Sequence, residues 1–273
     1  FEAHGMDIAK AFQLLAAEND RSQVEGLSLL LDSTKPIAWL MLYECYENGN
    51  GVAMDQEKAF HFCRKAATAG LSAAQHILGS FFYTRQEPEE RVMWYTKASE
   101  QGVAESSFEL AQHFGDDEVL SLKWLRKAAE QGHSFGQFLL GSRLLQTSST
   151  FTEAIGWLTR SADQDIVEAQ QCLGDVYAKT DMKRAIDWYQ RAAANDDSVS
   201  LFALAFFYDQ GMHFEKNEAK ALELYARASP HGMYSNDGWF DLTCRSKEPD
   251  ESSRQPQPYS QAEAQFRIGR MYE

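Results

Sequence analysis

Two short phrases recur along this chain in step with one another, and no other feature restricts the possible fold so tightly. The first sets a small residue among helix-forming neighbours, at Tyr43, Gly79, Ala111, Gly141, Gly174, Ala205 and Gly269, where Tyr43, Ala111 and Ala205 are degenerate members. Its steps are 36, 32, 30, 33 and 31 residues, then 64. The second phrase falls between them: FCRKAA from Phe62, WYTKAS from Trp94, WLRKAA from Trp124, WLTRSA from Trp157, WYQRAA from Trp188 and LYARAS from Leu224. A common period of this size marks stacked helical units, each too small to bury its apolar face alone. The expected fold is all-α, an α/α solenoid of stacked antiparallel helix pairs forming a right-handed superhelix without β-sheet.

Each unit reads as two helices. Ala169, Leu173, Gly174 and Tyr177 fall at helical spacing on one stripe, where small residues let a partner helix approach closely. In the second helix the stripe is Ala185, Trp188, Tyr189 and Ala192. Lys65, Lys97 and Lys127 precede Gly70, Gly102 and Gly132, which suits a helix C-terminus: positive charge faces the dipole and glycine accepts the left-handed cap. The tryptophans at 94, 124, 157 and 188 hold a regular place in the second helix, which makes them core rather than a ligand box.

The composition narrows the function. The chain is 44% hydrophobic, ample for a core, and carries 26 Lys and Arg against 40 Asp and Glu, a net charge of −14. That balance opposes general binding to nucleic acid or to an anionic membrane surface. No run approaches the length of a membrane span, so no membrane insertion is expected. The first residues lack the pattern of a signal peptide, and Met6 offers a natural start. Cys45, Cys63, Cys172 and Cys244 show neither a metal-binding nor a regular disulfide spacing and read as free buried thiols. The cytoplasm is thereby modestly favoured, with the periplasm open if a signal was removed.

The stretch YENGNGVAMDQEKAFHFCRKAATAG, residues 46–70, resembles the Sel1-like repeat, related to tetratricopeptide repeats. That pattern combines an Ala-rich helix with LG and Tyr, a GxGV loop, an Asp-xx-Lys-Ala helix start, then Trp, Lys-Ala-Ala and Gly. The resemblance covers about residues 37–232 as six repeats and resumes at 262–273; the GxGV loop is clear only at Gly49 to Val52 and is shortened elsewhere. Residues 1–36 read as a degenerate helical pair that caps the array, 233–260 as an insertion, and 261–273 as the first helix of a further repeat. The closing EAQFRIGRMYE repeats the opening phrase of a unit, so the protein is expected to continue. In the insertion, Trp239 and Phe240 are large aromatics in a polar stretch and are candidate contacts with the solenoid or a partner.

No phosphate loop, zinc-protease motif or nucleophile elbow is present, and His61, Cys63 and His76 lack a convincing ligand pattern. No catalytic residue, cofactor or metal is expected. The resemblance implies protein or peptide binding on a concave face lined by first helices. Counted from the small residue, the positions six before, one after, and four to five after are expected to face it. The candidates are Glu44, Tyr83, Glu105, Gln112, Phe135, Ser142, Glu168, Asp175, Phe206 and Asp209, with Tyr83, Phe135 and Phe206 as aromatic anchors. Carboxylates dominate this set: Glu44, Glu47, Glu105, Asp116, Glu168, Asp175, Asp209, Glu263 and Glu273, against Lys179 and Arg270. A partner with a basic segment is therefore expected. The leading function is a non-enzymatic scaffold or adaptor. The alternatives are a bacterial immunity protein that blocks a toxin by binding it, and a regulatory or targeting module of a larger protein with an enzymatic domain beyond residue 273.

Overall fold

A computed structural model describes residues 3–17, 19–146 and 148–228. The expected contacts of Trp239 and Phe240, and the repeat helix at 261–273, lie outside the described residues. Among those described, fourteen α-helices and one 3-10 turn occur, and no strand. Successive helices pair: α1 (Ala3–Leu15) with α2 (Asp20–Leu31), α3 (Pro36–Asn48) with α4 (Gln56–Thr68), α5 (Ser72–Thr84) with α6 (Pro88–Glu100), and α7 (Ala104–His113) with α8 (Glu118–Glu130). These eight helices form one compact unit, which ends at Gln131. The second unit begins at Gly132 and holds α9 (Ser134–Leu144) with α10 (Phe151–Ala162), α11 (Val167–Tyr177) with α12 (Met182–Ala194), and α13 (Ser198–Gln210) with α14 (Glu218–Ala228). Within each unit every pair also packs on the next, so the all-α stack of helix pairs that the period demands is what forms.

The repeated small residue fixes the crossing inside a pair. A Cβ added at Gly79 would lie 2.5 Å from the Tyr95 ring, and one at Gly174 would lie 2.5 Å from the Tyr189 ring. Each glycine is thus the floor on which the tyrosine of the WY phrase lies flat. Ala, Leu and Cys fill the rest of the core, including the fully buried Leu78, Leu110, Leu140 and Leu173, each directly before the repeated small residue, and Leu201, four before Ala205. Trp94 and Trp157 are buried as expected, whereas Trp124 and Trp188 keep part of their rings at the surface. The exposed ring faces are covered by the basic residue one turn on: Lys97 over Trp94, Lys127 over Trp124, Arg160 over Trp157 and Arg191 over Trp188. The Lys or Arg of the second phrase therefore serves both the helix C-terminus and the tryptophan face.

The helix ends follow from local chemistry. Asp55, Asp117 and Asp181 accept hydrogen bonds from the amides of Lys58, Leu120 and Arg184, which caps α4, α8 and α12. At the C-termini, Gly70, Gly102 and Gly132 take positive φ, and Asp165 and Asp196 occupy the equivalent place after α10 and α12.

Polar side chains buried between the pairs form a ladder. Gln75 donates to the Ala67 carbonyl at the end of the preceding second helix and accepts from Gln101 at the end of its own. Gln137 and Gln164 repeat the second contact at 2.8 Å, and Gln170 repeats the first by donating to Ala162 O. In α7 a serine replaces the glutamine, and Ser107 donates to Gln131, whose amide reaches Ser99 O. Cys45, Cys63 and Cys172 are buried thiols. Burial, with Glu44 beside it, pushes the Cys45 pKa up to about 11; burial, with Glu47 beside it, pushes that of Cys63 up to about 12.

Candidate functional site

The first helices of adjacent pairs touch. In the first unit, the Tyr43 ring meets Phe81 edge-on at 6.0 Å, joining α3 to α5, and His76 Nδ1 lies 2.9 Å from Ser106 Oγ, joining α5 to α7. In the second unit, α11 touches both α9 and α13. Positions that point away from the second helices can meet a partner. Glu44, Tyr83, Glu105, Gln112 and Glu168 are exposed, Tyr83 at 62%. Four of these five stand on the first unit.

The remaining candidates are withdrawn to different degrees, by contacts across the helix pair or along their own helix. Phe206 is only 5% exposed and belongs to the apolar cluster of α12, α13 and α14, so it is core and not an anchor. Asp175, one residue after Gly174, accepts a 2.6 Å hydrogen bond from the Tyr189 hydroxyl. Burial raises its pKa above the usual carboxylate range and outweighs the Tyr189 hydrogen bond. Ser80, the equivalent residue after Gly79, lies 3.1 Å from the Tyr95 hydroxyl. Where a glycine seats a tyrosine, the next residue is the tyrosine's hydrogen-bond partner. Ser142 follows Gly141, but Leu158 fills the tyrosine's place, and the buried Ser142 Oγ has no hydrogen-bond partner among the described residues. Phe135 is partly covered and packs its ring 5.4 Å from that of Phe138. Asp209 is also partly covered and accepts from the Gln210 amide.

Charge is sorted by helix. The first helices α3, α5, α7, α9, α11 and α13 carry Glu44, Glu47, Glu105, Glu109, Glu168, Asp175 and Asp209, and their one Lys or Arg is Arg143. Of these, α3, α5 and α7 have no Lys or Arg at all. Every second helix from α4 to α14 carries basic residues, one or more of them in its last turn. Counting positions from the small residue signals an acidic face; the sorting by helix needs the helix boundaries. It was present in the sequence as a concentration of Lys and Arg in the second phrase and just before it. Among the described residues no three His, Cys, Asp or Glu are grouped to hold a metal ion.

The model of the Sel1 repeat matches residues 44–71, 72–103, 104–133, 134–166, 171–197, 198–232 and 262–273. The chain belongs to the Sel1 repeat family. These Sel1 repeats are 28% identical over 205 residues to the Sel1-repeat-containing protein YjcO of Escherichia coli, covering 66% of this chain and 81% of that protein. The uncharacterized protein NMB1327 of Neisseria meningitidis serogroup B is 31% identical over 167 residues, which are 58% of this chain and 36% of that protein. Chitin synthase regulatory factor 3 of Schizosaccharomyces pombe is 28% identical over 171 residues, 55% of this chain and 18% of that one. The chain thus spans about a third or less of those last two relatives. Among solved structures, a Sel1 repeat protein from Oxalobacter formigenes superposes with a TM-score of 0.57 at 25% identity, over 80% of this chain and 96% of the other. The protective antigen c5321 of uropathogenic Escherichia coli shares the fold, with a TM-score of 0.66 at 24% identity over 82% of this chain and 53% of the other. Sel1 repeats generally serve as non-catalytic scaffolds for protein–protein interaction. Among the described residues no helix is long and apolar enough to cross a membrane.

Proposed function

We propose that this chain is a non-enzymatic scaffold that captures a protein or peptide segment bearing basic residues along the first helices of its first unit. The sorting of charge supports this reading: α3 and α7 present Glu44 and Glu105 to solvent, neither they nor α5 carries Lys or Arg, and α5 exposes Tyr83, over whose ring Arg91 lies at 5.1 Å. Carboxylates on one face attract and orient a cationic segment, and an exposed aromatic supplies apolar contact. Glu168 extends the acidic character on the second unit. Asp175 is left out of this reading, because its carboxylate accepts from the Tyr189 hydroxyl.

The test is affinity capture from the source cell with wild type and with a Glu44→Lys, Glu105→Lys, Glu168→Lys variant whose helical content is unchanged. A protein held by wild type and lost both from the variant and at raised salt supports the reading. Identical capture by the two proteins overturns it. A second reading, favoured by the similarity to a chitin synthase regulatory factor, is that the captured segment belongs to an enzyme that the scaffold regulates. A captured enzyme whose rate changes on adding the pure chain distinguishes that case.

A further inference from the structure

Arg91 stands in the first turn of α6 after Glu87, Glu89 and Glu90, yet among the described residues it makes no ion pair. Its guanidinium meets two groups that bring no negative charge. It lies 5.1 Å from the centre of the Tyr83 ring near the end of α5, and it donates to Nδ1 of His113, the last residue of α7. Its Nε is shielded from solvent and has no hydrogen-bond partner among the described residues. One donor has therefore lost its hydration without replacement, so the arginine keeps this place at a cost. Its hold rests on the ring and on one imidazole nitrogen.

That contact prescribes the state of His113. A guanidinium only donates, so Nδ1 must accept, and the imidazole is neutral with its proton on Nε2. A proton on Nδ1 removes the acceptor and sets two cations against each other. Burial first, and the Arg91 charge next, hold the His113 pKa below the usual histidine range. Acids stand nearby without reversing this: Glu109 one turn back on α7, Asp116 and Asp117 in the following turn, where Asp117 caps α8, and Glu118 at the start of α8. From α6 the charge that faces it is Arg91, and the Phe114 ring packs on it edge-on at 4.7 Å. Because the folded pKa is the lower one, the contact is fully present above the ordinary histidine value of about 6.5 and is lost as pH falls through and below it.

We infer that His113 is an acid-operated latch: neutral, it holds Arg91 over the Tyr83 ring, and on taking a proton it drives Arg91 away and bares the covered face of that ring. The latch sets when the ring is open, whichever partner the acidic face takes, so it is tested on the free chain. The probe is isotopically labelled tyrosine, whose Tyr83 ring resonance is identified by its loss in Tyr83→Phe. It is followed by NMR between about pH 7.5 and about pH 5 in wild type, His113→Gln and Arg91→Gln. Glutamine at 113 still accepts through its amide oxygen and has no proton to gain. In wild type the Tyr83 resonance is expected to move as pH falls, with a midpoint below about 6.5, towards the position it holds throughout in Arg91→Gln. In His113→Gln it is expected to stay at its neutral-pH position. The His113 imidazole resonance is expected to titrate at higher pH in Arg91→Gln than in wild type, because the opposing cation is gone. His76, which joins α5 to α7 through Ser106, is present in all three proteins and cannot produce a difference among them. A Tyr83 resonance that stays still in wild type, one that moves equally in His113→Gln, or a His113 titration unchanged by Arg91→Gln overturns the latch.

Discussion

Gly174 shows how much one atom decides in this molecule. Any Cβ there would sit inside the Tyr189 ring's contact distance, at 2.5 Å, so Gly174→Leu must push the ring or the whole of α12 aside. The expected loss is roughly 1 to 3 kcal/mol, the usual cost of overpacking, read from the urea midpoint. The opposite change is available at Asn195. Gln75 and Gln137 each accept from a glutamine at the end of the paired second helix, but after α12 the equivalent place holds Asn195, and the buried Oε1 of Gln170 has no partner among the described residues. Asn195 is one methylene short and donates instead to Arg191 O. Asn195→Gln is expected to raise stability by about 1 kcal/mol by satisfying that oxygen; an unchanged midpoint would count against the ladder. His76 makes the fold sensitive to acid. Its pKa is lowered by burial, against a smaller opposing pull from Glu109 and Glu105. The unfolded chain therefore takes up this proton first as pH falls. The stabilisation is complete above the ordinary histidine value and is lost as pH drops through and below it. Between about pH 7.5 and about pH 5.5 the urea midpoint should fall more for wild type than for His76→Gln. Asp175, with a raised pKa, acts in the opposite sense, and it is common to both proteins.

At the scale of an element, a second helix and its ending form one device. An aspartate opens α4, α8 and α12, a basic residue closes their last turn over an aromatic face, and a residue with positive φ follows. Glycine fills that last place at 70, 102 and 132, but after α10 it is Asp165, with φ 61°. A side chain is strained there, so Asp165→Gly should stabilise by about 0.5 to 1 kcal/mol despite the added freedom of the unfolded chain. The equivalent change at Asp196 is a poorer test, since that carboxylate is paired with Arg227 at 2.7 Å. These features were legible because caps and C-terminal glycines are local. The glutamine ladder was not, because its partners lie 26 or 27 residues apart and meet only once the helices have packed.

For the molecule as a whole, the period of the two phrases accounts for stacked helix pairs in both units, while the net charge of −14 is divided unequally between first and second helices. A basic partner drawn by the first helices should associate more slowly as salt shortens the reach of that field, by about tenfold or more between low and physiological ionic strength. Stopped-flow association rates across a salt series would show it, and a flat series would remove steering from the account. The sequence by itself determined the helix pairs, their number from 37 to 232, their caps and the acidic bias of the face, because each depends on spacing and composition within one period. The tertiary structure alone decided which candidates on that face remain available. Phe206 and Glu105 were judged by the same counting rule, yet one is buried in an apolar cluster and the other exposed. The difference lies in what a candidate meets once the helices pack: Phe206 joins the apolar cluster of α12, α13 and α14, and Asp175 takes up the Tyr189 hydroxyl. Such contacts join residues from different helices, so no periodicity along one helix encodes them.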